Sequence, residues 1–118
     1  MCDTISRIDE PVIAFCINGS YADKANNEDV YKCTRGTWLV NWDRVAGARF
    51  AFGVFYGIVL EVFEIEGWFP AGTTKNSFPP APGRFEFVGK VAPEKIRSRY
   101  VGKRLPNPLN GPFRYFNC

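Results

Sequence analysis

Apolar residues fall in short runs that predict strands rather than long helices. Residues 12–18, VIAFCIN, contain β-branched and aromatic side chains, a composition typical of a strand buried on both faces. The next segment, 19–29, is polar and rich in Asn, Asp and Lys, which predicts a surface loop.

Alternation of rings and aliphatic side chains begins at Arg49, in RFAFGVFYGIVLEVFEIEGW. The pattern predicts two antiparallel strands, 49–55 and 58–66, joined by a tight turn at Tyr56 and Gly57. A glycine inside the first strand, at position 53, indicates a bulge or a close approach of another group to the backbone.

Several shorter elements complete the pattern. Residues 67–83 hold four prolines and three glycines and predict a long loop. Residues 84–91 alternate as a half-buried strand does, with Phe85, Phe87 and Val91 on one face. The remaining elements are a short helix from 44 to 48 capped by Asn41 or Asp43, a helix opened by Pro93 and ended by Gly102, and a closing strand FRYFN.

Composition narrows the class of protein. Aromatic residues make up 16% of the 118 residues, including 11 Phe, and aromatic side chains favour strands. We therefore expect one α+β domain over residues 1–118, with its sheet curled into a small barrel.

The N-terminus lacks a basic segment followed by an apolar one, and no run of apolar residues is long enough to span a bilayer. These features predict a cytoplasmic protein with no membrane contact. The four cysteines form no CxxC pair and are expected to be free thiols, and the chain contains no His. The sequence thus predicts neither a metal site nor a cofactor.

Charge is distributed unevenly along the chain. Residues 84–118 hold eight Lys or Arg and two Glu, whereas residues 1–83 hold seven basic and ten acidic residues. Such a split is expected when one face meets a polyanion, although a solvated basic face would have the same composition.

Six stretches, taken in chain order, resemble bacterial domains of the PUA-like superfamily, which includes the PUA, ASCH, EVE and YTH domains. They are TRGTW (34–38), FAFGVFYGIVLEVFEI (50–65), WFPAGTT (68–74), RFEFVGKVAP (84–93), YVGKRL (100–105) and NGPFRYFNC (110–118). The resemblance implies a PUA-like mixed β-barrel of about five or six strands with two short flanking helices. It also implies a concave pocket for a modified, flipped or unpaired nucleobase, surrounded by a basic surface.

Residue types suited to such a pocket occur in two places. Reading a base requires a ring or a guanidinium for stacking and polar groups for its edge. The predicted pocket residues are Thr34, Arg35 and Gly36 at a loop-to-strand junction, Trp38, and Trp68, Thr73 and Asn76 at the long loop. In the alternative interpretation, Gly36 serves a turn, Arg35 pairs with a surface carboxylate and the tryptophans are core, with Trp42 the better core candidate.

Cations suited to phosphate lie in the basic third of the chain. We assign Arg97, Lys103, Arg104 and Arg114 to the phosphates of a nucleic acid, RNA or DNA. The alternative is that they only keep the surface soluble.

The sequence favours a non-catalytic binding module over an enzyme, because it offers no Ser–His or Cys–His pair and no glycine-rich phosphate loop. Two other functions stay open. One is a small ASCH-like amidohydrolase acting on a modified nucleoside, with Lys32, Thr34 and Glu64 or Glu66 as its catalytic set. The other is a protein-interaction domain whose basic face meets an acidic partner.

Overall fold

The computed structural model describes residues 3–18, 30–74, 80–107, 109 and 111–118. Within these ranges the chain forms five strands and three helices, and the predicted loop at 19–29 lies outside them. The elements are β1 (Val12–Cys16), α1 (Val30–Arg35), α2 (Trp42–Val45), β2 (Phe50–Phe55), β3 (Ile58–Pro70), β4 (Phe85–Val91), α3 (Glu94–Tyr100) and β5 (Phe113–Phe116). No helix in these ranges has the length and apolar character that crossing a membrane requires.

The strands form one mixed sheet in the order β4-β3-β2-β1-β5. β1 and β2 pair in parallel, with Ile13 opposite Ala51, and the other neighbouring pairs are antiparallel. The interior strand β1 is apolar throughout because both faces of the sheet are covered, as its sequence predicted.

Two apolar clusters lie on opposite faces of this sheet. On one face, Phe52 and Val62 pack with Tyr100 of α3 and Leu105. On the other face, Phe15, Phe63 and Phe87 pack with residues of α1, α2 and the connection between them. Strands β1, β2, β3 and β5 contribute to both clusters because successive side chains point to opposite faces.

The predicted hairpin is confirmed. Tyr56 and Gly57 both have positive φ, 47° and 83°, as a two-residue type I′ turn requires. The pairing register of β2 and β3 shifts between Gly53 and Val54, and the Thr34 hydroxyl occupies the place that a Cβ of Gly53 would take. Gly53 is therefore both a bulge position and a site of close approach.

Two predicted helices are also confirmed, and a third was not predicted. The Asn41 side chain caps α2 by accepting from the backbone N–H groups of Asp43 and Arg44, at 2.9 and 3.2 Å. α3 begins after Pro93 and ends before Gly102, whose φ is 82°. The predicted loop-to-strand junction at 34–36 is wrong, because Thr34 and Arg35 form the last turn of α1.

The α+β class is confirmed, but the predicted barrel is wrong: in the described part of the chain the sheet stays open. The outer edge of β4 bonds to other groups instead of to β5. Phe85 exchanges two backbone hydrogen bonds with Trp38, at 2.8 and 2.9 Å. Further along, Arg35 Nε donates to the Phe87 carbonyl at 3.0 Å, and the Gly89 N–H donates to the Tyr31 hydroxyl at 3.0 Å.

The raised pKa of Tyr100 makes the stability of the fold depend on pH in the alkaline range. Burial, together with the hydrogen bond that its hydroxyl donates to Glu10, raises the pKa of Tyr100 to about 12. The folded protein therefore holds the phenolic proton more tightly than the unfolded chain, whose tyrosines have a pKa near 10. This contribution to stability is complete below pH 10 and is lost as the pH rises to about 12.

We expect the free energy of unfolding of the wild type to exceed that of Tyr100→Phe by a constant amount at neutral pH, and the difference to shrink above pH 10. Urea denaturation of both proteins across that range measures it. A difference that stays constant up to the pKa of about 12 would contradict the prediction.

Candidate functional site

Arg35, predicted to read a base edge, lies inside the protein with only 4% of its surface exposed. Its Nε donates to the Phe87 carbonyl, and its Nη2 donates to the Thr74 hydroxyl. The same Nη2 lies 3.7 Å from Glu86 Oε2, in an ion pair whose two side chains are 5% and 1% exposed. The guanidinium therefore joins α1 to β4 and to the turn that follows β3.

Glu86 is the second half of this buried network. Its carboxylate accepts from the backbone N–H groups of Gly72 and Thr74, both at 3.0 Å, and from the Thr74 hydroxyl. Burial by itself raises the pKa of Glu86, but these hydrogen bonds and the charge of Arg35 outweigh it and leave the pKa lowered. The partner of Arg35 is thus a buried carboxylate, where the sequence suggested a surface one.

Thr34 and Gly36 serve the same packing. Thr34 is buried, and its hydroxyl donates to the Val30 carbonyl at 2.7 Å, one helical turn earlier. A Cβ at Gly36 would stand 2.8 Å from the Cβ of Glu86, so this close approach requires glycine. The alternative hydrolase would use the Thr34 hydroxyl together with Lys32. In the structure this hydroxyl is buried.

Trp38 and Trp68, both predicted to line a pocket, contact the same ring, that of Phe15, instead of an open cleft. Phe15 stacks on Trp38 with centroids 4.6 Å apart and meets Trp68 at 6.2 Å. Trp38 Nε1 donates to the Thr34 carbonyl at 2.7 Å. Trp68 Nε1 is buried and has no hydrogen-bond acceptor among the described residues. Phe15 fills the space that the sequence assigned to a base.

The interpretation of Trp42 as a core ring is wrong. Trp42 is 48% exposed and rests on Phe85 with centroids 4.8 Å apart. Of the loop residues, Thr73 is exposed and its hydroxyl donates to the Pro70 carbonyl at 2.7 Å, while Asn76 lies outside the described residues.

Two of the four predicted phosphate ligands, Arg97 and Arg114, contact neighbouring side chains, and the other two line concavities. Arg97 contacts Glu61 with two nitrogens, at 2.6 and 3.2 Å, and Glu94 with a third, at 2.6 Å. The hydrogen bond to Glu61, followed by the charge of that residue, raises the pKa of Arg97. Arg114 extends from β5 and stacks on Phe116 at 5.4 Å. Lys103 and Arg104, in contrast, line two adjoining concavities.

The first concavity, about 540 Å³ in volume, opens at the end of the sheet where β2 turns into β3. We call it the Tyr56 concavity. Its polar wall comprises Thr4, Asn18, Arg104 and Asn107, and its apolar wall comprises Val54, Leu105, Pro106 and Leu109. A volume of this size and a few polar groups on an apolar lining are typical of small-ligand sites.

Tyr56 supplies an open ring at the mouth of this concavity. It is 67% exposed, and its backbone N–H donates to Asn18 Oδ1 at 2.7 Å. Its φ of 47° is unfavourable for a bulky side chain, and Asn or Gly is the usual residue at this turn position. The backbone of Tyr56 is strained and its ring is largely exposed instead of packed in the core. This combination points to a role outside folding.

Arg104 is held on a rigid backbone. Its N–H donates to the Asp3 carbonyl at 2.7 Å, and its own carbonyl accepts from Ile5 at 2.8 Å. The neighbouring carbonyl, of Lys103, accepts from the Val59 N–H at 2.9 Å. The backbone of this segment is thereby fixed between the N-terminal residues and β3, which places the Cα atoms of both cations in advance of any ligand.

A narrower groove of about 240 Å³ continues from the Tyr56 concavity, with Thr4 shared between them. Its charged lining residues are Arg7, Arg99 and Lys103. Arg7 and Arg99 both pair with Asp9, at 2.5 and 2.7 Å. Among the described residues, Lys103 and Arg104 make no ion pair.

The sequence-based prediction includes Lys103 and Arg104, which line these candidate concavities, but not Tyr56, Asn18 or Asn107, which line the first of them. The signal for Tyr56 was present. A residue at the tip of a predicted hairpin lies beyond the paired strands, so most of an aromatic side chain at this position is exposed, here with one contact to the Phe55 ring at 4.7 Å.

Comparison of the chain with protein-family models, curated proteins and solved structures gave no match. The resemblance to the PUA-like superfamily therefore stays a prediction. Among the described residues, no group of three or more His, Cys, Asp or Glu side chains is arranged to hold a metal ion.

The buried Arg35–Glu86 pair predicts a large effect of a single substitution. Arg35→Met should lower the free energy of unfolding by about 3–5 kcal/mol, because it leaves the Glu86 carboxylate buried without its counter-charge. Chemical denaturation measures the change. Arg97→Met breaks a pair whose side chains are more exposed, 29% and 20%, so it is the matched control and should cost less. Equal losses for the two variants would refute the prediction.

Substitution of Trp68 and substitution of Trp42 should also differ in their effect on stability. Trp68→Ala removes a ring packed on Phe87 at 5.4 Å and should cost roughly 3 kcal/mol. Trp42→Ala removes a half-exposed ring and should cost less than about 1 kcal/mol. Thermal and urea unfolding of both variants measure the two losses of stability. A larger loss for Trp42→Ala than for Trp68→Ala would contradict the prediction.

Proposed function

We propose that this protein is a nucleic-acid-binding module that accommodates one unpaired, flipped or modified base in the Tyr56 concavity. The observation that carries the proposal is the meeting, in one place, of an exposed ring and two cations that make no ion pair among the described residues. Bases stack on aromatic rings, and phosphates require cations beside them.

Each part of a nucleotide has a matching group in the concavity. The Tyr56 ring offers a stacking surface for the base. The amides of Asn18 and Asn107 carry donors and acceptors suited to a base edge, although Asn18 already uses its Oδ1 on the Tyr56 N–H. Leu105 and Leu109 provide apolar contact for the sugar and the other face of the base.

The cations sit where the backbone of the same nucleotide would leave the concavity. Arg104 lines the concavity itself, and Lys103 lines the groove that continues from it. Because no described carboxylate neutralises them, both are available to a phosphate. Arg97 is committed to Glu61 and Glu94, so its contribution to binding is expected to be small.

This proposal keeps the function that the sequence predicted and moves the base from the Arg35 region to the Tyr56 turn. A pocket for a nucleobase is also what the resemblance to PUA-like domains implies. We further propose a cytoplasmic location, for which the described cysteines, Cys16, Cys33 and Cys118, give support because none of them forms a disulfide.

Tyr56→Asn is the sharpest test. Asparagine fits the positive φ at this position, so the variant should be as stable as the wild type or more stable by about 1 kcal/mol. Loss of stacking should nevertheless weaken binding of single-stranded oligonucleotides, RNA and DNA, by roughly tenfold. Fluorescence anisotropy measures the affinity, and a thermal melt establishes that the fold is intact.

The cations are tested in the same assay at several salt concentrations. Replacing Lys103 and Arg104 by Gln should weaken binding and reduce the slope of log K against log salt by about one for each phosphate that the variant no longer neutralises. Arg84→Gln is the matched control, since Arg84 lies at the far end of β3 from the Tyr56 turn, its carbonyl accepting from Ala71. Unchanged affinity in both the Tyr56 and the cation variants would overturn the proposed function.

A further inference from the structure

A second concavity, about 290 Å³ in volume, lies beside α2 and the distal half of β3. It lies apart from the Tyr56 concavity and shares no lining residue with it. Its walls include Trp42, Val45, Ala48, Ile65, Glu66 and Trp68. We call it the tryptophan concavity.

Two indole rings line this concavity, Trp42 from the start of α2 and Trp68 from β3. Trp42 rests on Phe85 at 4.8 Å and Trp68 on Phe87 at 5.4 Å. Phe85 and Phe87 are two residues apart on one face of β4, so their partners come close to each other. Tryptophan presents the strongest aromatic surface for a cation.

The charge of the lining favours a cation as well. Glu66, an exposed residue of the lining, carries a negative charge, and none of the described lining residues is Lys or Arg. The cations nearest in sequence have other partners. Arg44 stacks on Tyr115 at 4.0 Å and donates to the Cys118 carbonyl at 2.6 Å. Arg49 pairs with Glu64 at 4.0 Å.

We infer that the tryptophan concavity binds a methylated ammonium group, a quaternary ammonium above all. The indoles attract its diffuse positive charge, Glu66 complements that charge, and Val45 and Ile65 contact its methyl groups. A primary ammonium is a compact, strongly hydrated charge and loses more on leaving water. An anionic ligand would meet the Glu66 carboxylate without a compensating cation.

Choline and its uncharged isostere, in which a tert-butyl group replaces trimethylammonium, are the probes. We expect choline to shift the indole N–H resonances of Trp42 and Trp68 in NMR titrations, and the isostere to bind at least roughly tenfold more weakly. Equal binding of the two compounds, or no shift with choline at high millimolar concentration, would overturn the inference.

Variants locate the binding. Trp42→Ala and Glu66→Gln should each weaken choline binding severalfold without unfolding the protein, because both side chains are exposed. Asp43→Asn, which removes a carboxylate next to Trp42 in the chain but outside the concavity, is the charge control and should leave binding unchanged. A loss in Asp43→Asn equal to that in Glu66→Gln would contradict the assigned site.

A trimethyllysine peptide distinguishes the sources of the head group. Tighter binding of this peptide than of both choline and the unmodified lysine peptide would assign a protein side chain, whereas binding no tighter than choline would assign a free metabolite. Tyr56→Asn should bind choline as the wild type does, so failure of this inference and failure of the nucleic-acid proposal are separate results.

Discussion

The outer edge of β4 is the constraint on which the rest of the structure depends. A strand at the edge of a sheet presents backbone groups that must find partners or remain in water. Here Trp38 pairs with Phe85, Arg35 with the Phe87 carbonyl and Tyr31 with the Gly89 N–H, so one short segment satisfies three successive outward positions. Placing a guanidinium there buries a charge.

The buried charge explains the neighbouring sequence. Glu86 compensates Arg35, and Thr74 bridges the two by accepting from one and donating to the other. Gly36 allows the chain to pass close to Glu86, and the backbone of Gly72 turns an N–H toward the carboxylate. Residues that resemble a binding motif in the sequence are therefore held together by one internal electrostatic network.

The region between Arg35, Trp38 and Trp68 is filled by side chains, and the open concavities lie elsewhere. Phe15 occupies the space between Trp38 and Trp68, so an incoming ligand has no room there. Two concavities on the described surface differ in electrostatic character, because Arg104 lines one and Glu66 lines the other. A single small sheet thereby offers one surface suited to an anion and another suited to a cation, which is why two different ligand classes are proposed.

The sequence by itself determined most local elements: the hairpin at Tyr56 and Gly57, the strand predicted at 12–18, which spans Val12–Cys16, the helix capped by Asn41 and the helix between Pro93 and Gly102. Each of these depends on turn chemistry, capping or periodicity within a few residues. The tertiary structure decided whether the sheet closes, that Arg35 is buried, and that Trp42 rather than Trp68 is the more exposed. Periodicity shows that side chains share a face, but what covers that face is set by contacts with residues distant in the chain, such as Glu86 and Phe15.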